Sequence, residues 1–568
     1  MTASKARPAL DTPYQSSRLA GLLAQALPLG LIALLLAAII APITALLLKS
    51  FLDQQGAFIG LGNFARYIGE PGLAVAIWNS VSLSTISTAL TLAIAFPYAF
   101  ALHRSDIPLK GLFRVIMLAP LLAPSMLPAF GMIYLFGNQG LLKSWLMGGT
   151  IYGPIGIVSA SVFHALPHAI LILSAGLASG DQRLYEAATA LKASPARTFV
   201  QVTLPSCHYA LISAGCVVFV SVFTDFGIPT VIGGSTNVLA TDIYKQVIGR
   251  FDFELGAVVG VLLLTPALIA YGVDVLARRS QRATFSGRSV PVALRANRAR
   301  DVACLVLVTL VTVAILGIIG MAIYGSLVRF WPYNLALGMH NYHKALSDPD
   351  ELRTLTNSLV LATATAAIGT CLVAMSGWMV SRKACPAGLT QALQGLAMVP
   401  VAVPGLVLGL GYVFFFNNPA NPLHLLQGSM ALLVLCTIAH FYTVPHLMAV
   451  GGLIKLDREV DLAAQALRSG PAATGRRIHV AVLGPTLIDI AGYLFVNAMT
   501  TVSALMFLFN AQTRVAAIAV VNMTEGSRFG QATALAVLVM LICLAATALQ
   551  MALRSLIIRR QAWRRQER

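Results

Sequence analysis

Charge is what this chain has least of. Of 568 residues, 11% are Asp, Glu, Lys or Arg, whereas 57% are hydrophobic and the mean hydropathy is +0.79. A soluble chain of this length could not cover its surface with so few polar side chains, so part of that surface must face lipid. Acids are the scarcer sign, 21 against 39 Lys and Arg, which leaves a net charge of +18. That excess does not point to nucleic acid, because the basic residues collect between apolar runs and at the two ends, as in the loops of a membrane protein. Also missing are a GxxxxGK[ST] phosphate loop, HExxH and GxSxG, so the chain carries no recognisable ATPase, zinc protease or serine hydrolase centre. The seven cysteines form no CxxC and share no spacing, which fits buried small hydrophobes and neither a metal site nor a disulfide framework.

What is present is long apolar segments. A bilayer core takes about 20 apolar residues per helix. Twelve candidates fit, at 22–50, 76–103, 112–137, 154–178, 208–232, 255–277, 302–328, 355–381, 390–416, 429–453, 483–509 and 530–557. The first has no small-residue cleavage site and reads as a span, not a signal peptide. Pro120, Pro124 and Pro128 interrupt the third, and Pro400 and Pro404 the ninth; neighbouring helices must then satisfy the freed backbone groups. The connection 278–300 carries seven arginines and no acid, and the C-terminal end adds Arg554, Arg559, Arg560, Arg564, Arg565 and Arg568. Both belong on the cytoplasmic side, so both termini are expected inside.

The chain also repeats itself. At a shift of 276, Ala187-Ala188 falls on Ala463-Ala464, Leu191 on Leu467 and Pro195 on Pro471. At 278, Asn63 falls on Asn341, Asn79-Ser80 on Asn357-Ser358 and Pro167-His168 on Pro445-His446; at 280, Pro120 and Pro124 fall on Pro400 and Pro404. An ordered series across six spans is a tandem duplication. The expected fold is an all-α integral membrane protein of two tandem six-helix modules. An even span count makes the modules parallel, related by a pseudo-two-fold axis along the membrane normal. The expected boundaries are a tail at 1–21, a first module at 22–277, an Arg-rich linker at 278–300, a second module at 301–557 and a basic tail at 558–568.

Between the fourth and fifth spans of each module lies an amphipathic, mildly charged loop: EAATALKASPARTFVQVTLP at 186–205 and LAAQALRSGPAATGRRIHVA at 462–481. Its alanines favour helix. Pro195 and Pro471 must bend the chain, and Ser194 is placed to cap a second helix with Pro195 at its first position. A loop lying on the membrane surface is one reading. A docking element for a two-fold symmetric partner is the other, and the duplication favours it.

The first of these stretches resembles the EAA motif of bacterial importer permeases of the ABC superfamily, and the resemblance runs through the whole chain twice. It implies a permease module: in that family the loop is a coupling helix seated in a cleft of a cytoplasmic ATP-binding subunit. Carried over by residue, Glu186, Ala187, Ala188, Leu204 and Pro205 match the first motif, and Ala463 and Ala464 the second. The glycine of the motif is replaced by Lys192 and Arg468, so the turn is expected to rely on Ser194-Pro195 and Gly470-Pro471. Leu462 replaces the second Glu and Val480-Ala481 the second Leu-Pro, which leaves Arg476 and Arg477 as alternative docking residues. The implied partners are two ATP-binding subunits carrying ATP and Mg, an extracytoplasmic binding protein and membrane lipid. The implied location is the bacterial inner membrane. No cofactor on this chain and no homodimer are required.

Intramembrane polar residues are functional candidates by default. Asp225, with Thr501 at the equivalent position, could line a translocation path or make a structural hydrogen bond to a neighbouring Ser or Thr; both readings stay open. His164 and His168 stand at i and i+4, but His440 and His446 do not keep that spacing, so a packed or path-lining pair is favoured over a metal site. The stretches 223–264 and 500–523 resemble fused two-module permeases assigned to 2-aminoethylphosphonate uptake; ferric-iron permeases share that architecture and are the alternative. An ion-coupled secondary transporter with six plus six repeats is the rival outside this class, and a membrane enzyme built on the His pair or Asp225 lacks a clustered catalytic set.

Overall fold

A computed structural model describes residues 18–560 apart from 285–289, 291, 293–296, 383–384, 458 and 468. The chain ends and ten residues of the expected linker at 278–300 therefore lie outside the described residues. Apart from a two-stranded hairpin (Val328–Phe330 with Asn334–Leu337), the regular structure is helical. Nine helices are long and apolar enough to cross a membrane, and three bent pairs bring the number to twelve, among the described residues.

The bent pairs fall where proline breaks the ladder. In the third span Lys110–Leu122 meets Leu127–Phe136 at 99°, across Pro120 and Pro124. In the ninth Ala387–Ala402 meets Gly405–Phe416 at 113°, across Pro400 and Pro404. The tenth is broken as well, at 58° between Met430–His440 and Thr443–Ile454. The fourth span, Pro154–Ala178, has the limits read from the sequence.

Two spans are misplaced by hydropathy alone. The fifth runs over Pro195–Phe223, not 208–232, and the eleventh over Gly475–Thr500, not 483–509. Each begins earlier because the loop helix after Pro195 or Pro471 continues straight into the span. Each ends earlier because the apolar residues beyond it belong to other elements, the short helix Gly227–Ile232 in one module and a run of turns at 501–509 in the other.

The repeat is a repeat of hydrogen bonds. Asn63 Nδ2 donates to the carbonyls of Ser50 and Leu52, and Asn341 Nδ2 to those of Ser326 and Val328, so one amide closes the end of the first span in each module. Ser80 Oγ accepts the N–H of Leu239 at 2.8 Å, and Ser358 Oγ that of Ala516 at 2.7 Å. Asn79 and Asn357 donate to carbonyls of the same returning segments. Orphan backbone groups at the ends of spans are thus satisfied by the same side chains twice.

The modules are joined by exchange. The first span of each packs on the third span of the other. A Cβ at Gly131 would overlap the carbonyl oxygen of Ile318, and one at Gly411 that of Pro42; Pro42 and Ile318 are themselves equivalent at a shift of 276. Small residues permit this backbone approach, and in lipid such close packing is a main source of helix association. Tyr412 donates to the carbonyl of Ala38 at 2.8 Å beside one contact, and Tyr98 lies 3.3 Å from the Thr312 hydroxyl near the other.

Gly131→Ala and Gly411→Ala should therefore each destabilise the full chain by about 1–3 kcal/mol through overpacking. Gly272→Ala, at a position with nothing within 4 Å, should be neutral or slightly stabilising. Thermal unfolding in detergent reads the difference; equal effects at all three positions would remove the contact from the account.

Candidate functional site

The twin loops adopt one geometry. In the first, Gln182–Ala190 is a short helix whose N-cap, Asp181, accepts the N–H of Arg183 at 3.1 Å. Ala188 is buried against the bundle, whereas Glu186 and Ala187 are exposed. In the second, Glu459–Ala466 is the helix, with Ala464 buried and Ala463 exposed. The closing bonds match one for one: Leu191 to Ala187 and Leu467 to Ala463 at 3.0 Å, Ala193 to Ala188 and Ser469 to Ala464 at 2.9 Å. Leu191 is 82% exposed and Leu467 83%, so each loop ends on an apolar knob with nothing over it. The two exposed leucines stand at equivalent points of the repeat, at a shift of 276.

The turn corrects the sequence reading. It is made at Lys192 itself, which takes the left-handed conformation at φ 51°, as a glycine would. After Ala193 the next helix starts: Ser194 Oγ accepts the N–H of Arg197 at 3.2 Å, with Pro195 at the first helical position. Arg468, the equivalent of Lys192, lies outside the described residues. Gly470 has no side chain to cap Pro471–Thr474, and Thr474 Oγ1 bonds Ser469 Oγ and the Gly470 carbonyl instead.

Beyond the turn, each continuous helix contains a single wider turn near its start. The N–H of Leu204 reaches back five residues to Phe199, and that of Val480 to Gly475. Pro205 is present in one copy and Ala481 stands in the other, so the widening is not imposed by proline. Such π turns recur at functional positions. Arg476 and Arg477 sit exposed in the second.

Two arginines at the ends of the second and eighth spans hold the loops, and the sequence reading missed them although a shift of 278 relates them. Arg104 donates to the carbonyl of Leu177 at 2.7 Å and lies 5.3 Å from the ring centroid of Tyr185, whose hydroxyl meets that of Thr203 at 3.0 Å. Arg382 donates to the carbonyl of Leu453 and to Asp461 Oδ2, both at 2.9 Å. His479 Nε2 lies 2.8 Å from Asp461 Oδ1, and His479 Nδ1 2.9 Å from Trp378 Nε1. An indole only donates, so His479 Nδ1 must accept and its Nε2 must carry the hydrogen to Asp461. At equivalent positions, Tyr185–Thr203 in one module is replaced by Asp461–His479 in the other. Asp461 is thus engaged inward, which leaves Glu459 exposed as the acid of the second loop.

The intramembrane candidates divide. Asp225 sits in the break after the fifth span, where its Oδ2 accepts the N–H of Ile228 at 3.0 Å and the Ser125 hydroxyl lies beside it. Thr501 closes the eleventh span through its N–H to Asn497 and is buried. Next to Asp225, Thr224 reaches a cavity of about 220 Å³ between the modules, opposite Pro404, Gly405, His440, Tyr493 and Ser503. His164 and His168 stand with ring centroids 6.2 Å apart, and neither lines that cavity. Asp489 accepts from Gln550 and pairs with Arg554 at 3.2 Å.

Comparison with known proteins bears on these loops. Residues 92–333 match the family described as binding-protein-dependent transport system inner membrane component. The ferric transport system permease protein FbpB of Actinobacillus pleuropneumoniae is 28% identical over 532 residues, covering 89% of this chain and 74% of that protein. The molybdenum transport system permease protein ModB of Azotobacter vinelandii is 30% identical over 188 residues, 32% of this chain and 83% of that protein. A spermidine/putrescine transport system permease protein, PotB of Haemophilus influenzae, is 28% identical over 247 residues, 41% of this chain and 86% of that protein.

Asp461→Ala should cost about 2 kcal/mol or more, because it leaves the buried Arg382 guanidinium without its carboxylate. Lys192→Gly should stabilise by roughly 0.5–1 kcal/mol, relief of the left-handed strain exceeding the entropy of glycine. Limited proteolysis of the two loops, followed with thermal unfolding, separates local from global effects.

Proposed function

The chain belongs to the inner-membrane components of binding-protein-dependent transport systems, and from that premise we propose that its two modules form both sides of one importer's translocation path. It is an ABC importer permease, a multi-pass protein of the inner membrane, and ATP hydrolysis lies on separate subunits. In our reading those subunits number two, each carrying ATP and Mg and seating one loop, and both chain termini face them. A binding protein delivers solute to the opposite end. The path runs between the modules past Thr224 and His440, and a single chain is sufficient.

The observation that carries this reading is the paired exposure of Leu191 and Leu467 on loops with matched hydrogen bonds. Because each loop continues without interruption into Pro195–Phe223 or Gly475–Thr500, displacement of the loop is displacement of the span. Arg104 and Arg382 pass it on to the second and eighth spans.

Two substrates are proposed. Ferric iron is supported by the names of relatives matched over most of the chain. The zwitterion 2-aminoethylphosphonate is supported by the resemblance at 223–264 and 500–523, with Asp225 as a partner for the amine and cationic groups at the mouth for the phosphonate.

Leu191→Cys and Leu467→Cys, in a chain without its native cysteines, should each cross-link to a cysteine in the cleft of the ATP-binding subunit, with ATP changing the yield. Uptake that persists without any ATPase, with no cross-link at either position, would favour the ion-coupled transporter. For the substrate, calorimetric titration of the cognate binding protein with 2-aminoethylphosphonate, phosphate and ferric citrate should give tight binding of one. Tight binding of ferric citrate alone removes the phosphonate reading and leaves the permease assignment untouched.

A further inference from the structure

The end of the bundle opposite the coupling loops holds a cavity of about 560 Å³ at one junction between the modules. Arg329, Lys344, Arg528 and His340 line it together with Trp331 and Gln139, and no carboxylate is among its described lining residues. Arg528 lies 3.4 Å from Glu351, but that carboxylate is shared with Arg514 at 3.5 Å, so the cluster of three keeps a net positive charge. Arg329 and Lys344 are exposed.

The internal repeat supplies the control. The equivalent place in the first module carries its own ion pairs: Lys49 with Glu254 at 2.8 Å and Arg66 with Asp252 at 2.6 Å. Burial and the Asp242 carboxylate push the Tyr67 phenol well above its ordinary value, so Tyr67 stays a donor to Asp242 at 2.7 Å. Shifts of 276 to 278 put Arg329 where Asp53 stands, Lys344 where Arg66 stands, Arg528 where Asp252 stands and Gly530 where Glu254 stands. The shared frame is intact, since Asn341 repeats the bonds of Asn63 and Phe529 opens the last helix as Phe253 opens its counterpart. One frame therefore carries self-neutralised charge in one module and uncompensated positive charge around an open cavity in the other.

We infer that this cavity binds a phosphate- or phosphonate-type oxyanion, held by Arg329 and Lys344 with Arg528 at its back. Guanidinium and ammonium donors match such oxygens, and charge-assisted bonds in a partly enclosed site are the strong ones. The volume suits a small solute. The inference rests on the importer reading only in taking this end as the outward mouth; the binding itself is independent of transport.

The test titrates the full chain, in phosphatidylcholine nanodiscs with its ATP-binding subunits, with inorganic phosphate and with methylphosphonate. Saturable binding is expected, weakened about tenfold or more in Arg329→Gln/Lys344→Gln, the loss that two charged hydrogen bonds imply. Arg528→Asp, which restores the acid of the first module beside Lys344, should abolish binding. Arg66→Gln, in the paired counterpart, should change the dissociation constant by no more than about twofold. Adding phosphatidylglycerol to the discs separates the sources: unchanged affinity assigns the site to a free solute, and competition assigns it to lipid headgroups. No saturable binding, or binding indifferent to these variants, overturns the inference. So does a result in which the variants weaken only docking of the binding protein, which would make the cluster a protein contact. ATPase activity measured on the same discs shows separately whether the importer reading has failed.

Discussion

Two backbones meet without side chains between them at Gly131 on Ile318 and at Gly411 on Pro42, and the architecture depends on that reciprocal contact. Lipid offers helices no hydrophobic reason to associate, so close packing and hydrogen bonds must supply it. Because the first span of each module is spent on the third span of the other, neither module is complete alone. The proline breaks of the third and ninth spans follow from this arrangement. Their second halves turn through 99° and 113° to present glycine faces to the partner module, and the broken backbone faces protein.

That interlock gives the loops something to act on. Each loop helix is short and has little stability of its own. It is held by continuity with the following span and by an arginine from an earlier one. The two clamps share geometry but differ in chemistry: a stacked tyrosine and a hydroxyl pair on one side, a carboxylate between guanidinium and imidazole on the other. Position is maintained where residue identity is not. This explains how the second loop keeps its shape although Leu462 and Ala481 depart from the motif.

The opposite end shows duplication used asymmetrically. The framework amides Asn63 and Asn341 make the same two bonds, so the modules begin from one scaffold. On it, the first module satisfies its charges internally and the second does not. The cavity at this end therefore has cationic side chains on the second module's side, where the first module's equivalent positions carry paired charges.

Much of this was legible without a structure, for physical reasons. Apolar length fixes the number of spans, arginine placement suggests their direction, and the ordered shifts of 276 to 280 reveal two modules and the paired loops. Ser194-Pro195 announces a helix start, which the fold keeps. Hydropathy could not place the ends of the fifth and eleventh spans, because apolar residues in Gly227–Ile232 and in the turns at 501–509 pack inside the protein and lipid-facing ones look the same in sequence. Nor could it show that Lys192 adopts a glycine conformation, that Asp225 accepts the Ile228 N–H, or that Arg382 reaches Asp461 across 79 residues. Local pattern determined the segments, their repetition and the loops that recur. Only the tertiary structure decided which helix lies on which and which charges are neutralised, because those depend on contacts between residues far apart in the chain.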